Sequence, residues 1–237
     1  AAVAMFWLVR RIAPRSIREA KPTMHRARWL KEAAPLLVYS LMMTVHAQAG
    51  VIILELLYAN EPIVSIFAVS IQTGAFVVLL ATSTIRFYLP QISILLERRD
   101  IDSMRERARR RMAVLGPLTA VFLAIVFIFG RQILSAFGPD FTQGYATVCI
   151  IAVGASCSTL FSLAPFYLQY LGRNKLTLTW TALGAGTSIA ACFPLAWYFG
   201  AEGAAVAYSA PLVVKFLVMR IHVRHELRAL KRQPRTA

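Results

Sequence analysis

The stretch PIVSIFAVSIQTGAFVVLLATSTIRFYLP, Pro62 to Pro90, constrains this chain most. From Pro62 to Ile85 there are 24 residues without a formal charge, and a helix needs about 20 apolar residues to cross a bilayer. The run is not uniformly apolar. Wound at about 100° per residue, Ser65, Gln72, Ser83 and Arg86 fall within roughly 40° of one line. A spanning helix with a polar stripe ending in a guanidinium disfavours placing that stripe in lipid, so it is expected to face other helices or a wet cavity.

The rest of the chain repeats the pattern. Of 237 residues 58% are hydrophobic, against about 45–50% in a soluble domain, and the excess lies in long runs. These predict an all-α polytopic transmembrane bundle with six spans: 33–57, 62–89, 112–129, 145–169, 176–199 and 204–219. Tyr58–Glu61 (YANE), Gly130–Gly144, Gly172–Lys175 (GRNK) and Gly200–Gly203 (GAEG) read as connections, punctuated by turn residues. The six spans pair as three hairpins. The fifth is rich in small residues, which let helix backbones approach closely in lipid. Residues 32–221 make the membrane lobe. Residues 10–31 form a basic linker with an amphipathic segment near Trp29, and 222–237 a basic tail. Ala1–Val9 is expected to be the end of a preceding span, with the chain as the C-terminal part of a larger membrane protein.

Charge orients the bundle. Net charge is +15, which in a soluble protein suggests nucleic acid, but its placement argues otherwise. Arg10–Lys31 holds eight Lys/Arg, Arg86–Arg111 another eight, the turn at Arg173 two and Lys215 to the tail seven, while the opposite loops hold only Arg131. That makes 25 of 26 on one face, in line with the positive-inside rule, and puts both ends in the cytoplasm. Anionic membrane lipids, not nucleic acid, are the expected partners of this charge. Cys149, Cys157 and Cys192 lie in apolar runs without CxxC or Cys/His spacing, and His222 with His225 lacks a third ligand, so no disulfide framework, metal or cofactor is implied. GxSxG, P-loop and HExxH signatures are absent, and with them any catalytic residue.

FGPDFTQG at Phe137–Gly144 resembles the FGxxFxxG loop in the C-terminal half of polysaccharide flippases of the multidrug/oligosaccharidyl-lipid/polysaccharide exporter superfamily. Other pieces follow in order. Trp29–Leu37 (WLKEAAPLL) is similar to the approach to that family's seventh helix, Leu89–Ser93 (LPQIS) to the end of its eighth, Leu171–Lys175 (LGRNK) to the turn after its tenth, and Gly200–Ala207 (GAEGAAVA) to the turn into its last. The likeness runs over about residues 29–226. Family members often carry a charge where this chain has His46-Ala47-Gln48. The resemblance implies the second lobe of a two-lobe transporter in the bacterial inner membrane. It would work by alternating access with a missing N-terminal lobe, on a lipid-linked anionic glycan.

Five side chains are candidates for contacting such a substrate. Arg86, Gln72 and Ser83 share the stripe, and a guanidinium forks onto phosphate oxygens without losing its charge. Its bland counterpart is an arginine snorkelling to the interface. His46 lies mid-span, as a core histidine or a proton or substrate group. Lys215 interrupts the last span and is expected to snorkel toward the cytoplasm. The competing functions are a cation-coupled multidrug exporter, which wants buried carboxylates, and a non-transporting membrane subunit or enzyme of glycan assembly.

Overall fold

The structure, a computed structural model, describes residues 26–58 and 62–232. The expected remnant span at Ala1–Val9, the linker up to 25, the turn at 59–61 and the end of the tail lie outside these. The described residues are helical: α1 (Arg26–Leu57), α2 (Pro62–Glu97), α3 (Ile101–Ser135), a 3₁₀ segment (Pro139–Gly144), α4 (Tyr145–Phe161), α5 (Ala164–Tyr170) and α6 (Asn174–Arg232). Two compact units divide at residue 36. In the first, 26–36 are helical, with Trp29, Leu30 and Leu36 exposed. The second unit carries everything that follows.

Five helical stretches are long and apolar enough to cross a membrane: Leu36–Leu57, Pro62–Glu97, Ile101–Ser135, Pro139–Tyr170 and Asn174–Lys231. Five candidates stand against six expected spans; α6 runs through both the fifth and the sixth expected regions. Gly200 (φ 56°, ψ −133°) is non-helical and separates arms 174–199 and 201–232. Only glycine adopts such a conformation without steric cost. The arms fold back on each other: a Cβ on Gly203 would lie 1.8 Å from the Leu195 carbonyl oxygen, and Gly184 faces Lys215 and Pro211.

The turns gather at two ends. Tyr58 donates its hydroxyl to the Ala196 carbonyl at 3.0 Å, and Gly144 and Gly200 approach Ile66 and Ile63. At the opposite end Arg173 pairs with Glu226 at 2.8 Å and Lys231 with Asp102 at 2.6 Å. Each end has its own core, Leu54, Phe67, Cys192 and Ala196 at the first and Ile92, Met104, Tyr167, Leu168 and Met219 at the second. α3 has 35 residues, about 52 Å of helix, longer than the roughly 30 Å of hydrocarbon in a bilayer, and its charged first turns lie at the second, basic end.

The fourth expected span, 145–169, falls within one candidate stretch, Pro139–Tyr170, in which the helical hydrogen bonding is interrupted at Ser162 and Leu163, both still in helical backbone conformation. α4 stops at Phe161 and α5 starts at Ala164 with Pro165 in its first turn. Proline has no N–H to continue the ladder, and the carbonyls at the end of α4 need other donors.

Candidate functional site

The polar stripe on α2 lies outside the packed interior of this unit. Ser65, Gln72, Ser83 and Arg86 are exposed, whereas Ile66, Phe67, Ser70, Thr73, Gly74, Val77 and Ala81 on the other face are buried. The buried set recurs at helical spacing and packs against α4, where Gly74 meets Ile151 and Ala155. Gln72, Ser83 and Arg86 therefore share one unpartnered face; the Ser83 hydroxyl turns back to the Leu79 carbonyl at 3.0 Å. Phe76, Leu79 and Phe87 are exposed on the same helix.

His46 and Lys215 lie elsewhere, in the interior. Each is only 3% exposed. His46 stacks on Tyr208 with ring centroids 4.9 Å apart, and neither imidazole nitrogen has a hydrogen-bond partner of good geometry. Lys215 does not snorkel. Its ammonium sits 3.1 Å from Sδ of Met43 and 4.9 Å from the Phe216 ring centroid, and no carboxylate pairs with it among the described residues. Two groups far apart in sequence, on α1 and the second arm of α6, are thus brought into one neighbourhood, away from the stripe.

Sequence reasoning missed a third polar group. Arg111 belongs to the basic segment Arg86–Arg111 that was counted with the charge of one face, yet it is 3% exposed. Its Nε donates to Thr84 Oγ1 at 3.1 Å. One Nη reaches the Leu160 carbonyl at 3.5 Å, and the other reaches the Thr159 carbonyl at 3.5 Å and Ser162 Oγ at 2.6 Å. The guanidinium thereby adds donors to carbonyls in the last turn of α4, and a cation at a helix C-terminus also meets the negative end of its dipole. The signal was in the periodicity. Ile101, Met104, Arg111 and Leu115 follow 3-, 7- and 4-residue steps along one buried face.

Arg111 also lines a cavity of about 520 Å³ between the start of α3, the α4–α5 junction and the end of α6. Its charged lining residues are Arg105, Arg109, Arg111, Arg220, Arg224 and Arg228, with no acid. The Arg220 guanidinium stacks 4.3 Å from the centroid of the Phe161 ring. The nearby acids are engaged outward: Asp102 with Lys231 and Arg105, Glu106 with Arg109 and Arg110, and Glu226 with Arg173. Arg107 is tied to Gln91.

Among the described residues no cluster of three or more His, Cys, Asp or Glu is placed to hold a metal ion. The chain matches no protein-family model, no curated protein and no solved structure.

Proposed function

We propose that this chain is one lobe of a membrane flippase that moves a polyprenyl-pyrophosphate-linked oligosaccharide across the bacterial inner membrane by alternating access. The lobe has six crossings in three hairpins, α6 contributing two, with its basic end and both termini on the cytoplasmic side. The exposed stripe of α2, with Arg86 at its cytoplasmic end, lines the route and meets the pyrophosphate; Gln72 and Ser83 offer hydrogen bonds further along.

The observation that carries this reading is the sign of the interior. Among the described residues the buried charged side chains are Arg111 and Lys215, and no carboxylate is buried. A lobe that handles a cation or couples to one needs buried acids; a basic interior favours an anionic substrate. The ordered motifs at 137–144, 171–175 and 200–207, which resemble those of polysaccharide flippases, support the same substrate class.

Deleting the gene tests this. Surface-polysaccharide export should stop and the lipid-linked precursor should accumulate on the cytoplasmic leaflet, with sensitivity to cationic drugs unchanged. Normal export together with raised drug sensitivity would overturn the proposal.

A further inference from the structure

The arginine-lined cavity at the basic end is separate from the α2 stripe, and what it holds follows from its own chemistry. A guanidinium taken out of water needs hydrogen bonds and a counter-charge. Arg111 has the first from Thr84, Thr159, Leu160 and Ser162, but no carboxylate supplies the second among the described residues. Arg220, Arg224 and Arg228 repeat every four residues along α6 and likewise carry no ion pair there. Like charges at this spacing destabilise a helix, so the ladder favours an anion from outside the chain. The remaining wall is apolar, built by Met112, Phe161, Leu163, Val223 and Leu227 among others. A volume of about 520 Å³ falls in the range of sites for sizeable organic ligands, roughly 300–1,000 Å³, larger than a lone phosphate requires. On the topology proposed above, the basic end that holds the cavity lies at the membrane surface, the depth at which a headgroup meets its acyl chains.

We propose that this cavity binds an anionic phospholipid, its phosphate held by Arg220 and Arg224 with the Arg111 charge behind them, and the first carbons of its acyl chain lying on Phe161, Leu163 and Leu227. Arginine forks match phosphate oxygens two at a time, and a basic pocket between transmembrane helices at the membrane surface is suited to such headgroups. The bound lipid would neutralise the Arg ladder and offset the buried charge of Arg111. This assignment does not depend on what the lobe transports.

The test uses the full chain in a nonionic detergent with three probes: short-chain phosphatidylglycerol, phosphatidylcholine of the same chain length, and inorganic phosphate. Binding is read by native mass spectrometry and by the thermal unfolding midpoint. Phosphatidylglycerol should form a one-to-one adduct and raise the midpoint, phosphatidylcholine and phosphate should bind at least tenfold more weakly, and salt should weaken the adduct. The variant Arg224→Gln/Arg228→Gln alters only exposed side chains and should fold normally while losing phosphatidylglycerol affinity roughly tenfold, the scale of a charge-assisted contact. Equal binding of phosphatidylcholine would remove the role of charge. Equal binding of phosphate would remove the role of the apolar wall. Undiminished phosphatidylglycerol binding by the double variant would place the lipid elsewhere. Any of these three results overturns the proposal.

Discussion

The Arg111 guanidinium donates to the Ser162 hydroxyl at 2.6 Å, joining α3 to the junction between α4 and α5. Ser162 Oγ in turn donates to the Thr159 carbonyl at 2.8 Å, so one hydroxyl sits between a buried cation and the end of α4. A hydrogen bond to a charged group is worth about 1.5–3 kcal/mol. Ser162→Ala should lower unfolding stability in detergent by that amount, whereas Ser93→Ala, at an exposed hydroxyl bonded only to its own helix, should change it by less than about 0.5 kcal/mol. Equal effects of the two would remove the structural role assigned to the Arg111 contact.

The two arms of α6 touch through backbone. A Cβ on Gly203 would meet the Leu195 carbonyl oxygen at 1.8 Å and the Ala196 nitrogen at 3.0 Å, atoms that cannot turn aside as a side chain does. Gly203→Ala should therefore cost about 1–3 kcal/mol or more. Gly186→Ala, where a Cβ meets open space, should be neutral or stabilising. Thermal unfolding of the two variants should separate them clearly; indistinguishable midpoints would contradict the folded-back arms.

Lys215 places a charge in the interior against a thioether, a weak acceptor, with no carboxylate beside it. Lys215→Met keeps the stem and removes the charge, and replacing buried charge with packed apolar groups is often stabilising by about 1–4 kcal/mol. The expected result is a midpoint equal to or above that of the parent. A clear fall would mean that the ammonium has a partner that holds the lobe together.

Topology follows from charge. In a background with Cys149, Cys157 and Cys192 replaced, Gln143→Cys should react with an impermeant thiol reagent applied outside the cell. Arg98→Cys should react only after the membrane is opened. Both positions are exposed, so accessibility within the lobe does not confound the comparison. The reverse labelling pattern would invert the lobe and move the arginine cavity to the other leaflet.

Much of this architecture was legible in the sequence because apolar runs and glycine turns act locally. The GAEG turn marked the fold-back at Gly200, and the FGPDFTQG loop marked the 3₁₀ connection. Pro165 interrupts the helical hydrogen bonding of the fourth stretch without ending the stretch. The contact of Arg111 with Ser162 was not legible, because it joins separate helices. The buried neighbourhood of His46 and Lys215 also depends on tertiary packing. Lys215 read as a snorkelling residue because nothing in its own helix tells how deeply the α1 side covers it. The stripe of Gln72, Ser83 and Arg86 was legible as a stripe, but which helices flank it was not, and the lobe leaves it uncovered. Arg111 was hidden by its neighbours: Arg109 and Arg110 are exposed, and only the apolar phase set by Met104 and Leu115 distinguishes it from them.

If the uncovered α2 stripe meets an anionic substrate through Arg86, polysaccharide export in cells carrying Arg86 variants at matched membrane levels should register the loss of that contact. Removing a charge makes a membrane helix easier to insert, so Arg86→Ala should reach the membrane normally while export falls roughly ten- to a hundredfold, the loss of a contact worth about 1.5–3 kcal/mol. Arg86→Lys, which keeps the charge but not the fork, should retain partial activity. Near-normal export by Arg86→Ala would leave Arg86 as an interface anchor with no substrate contact.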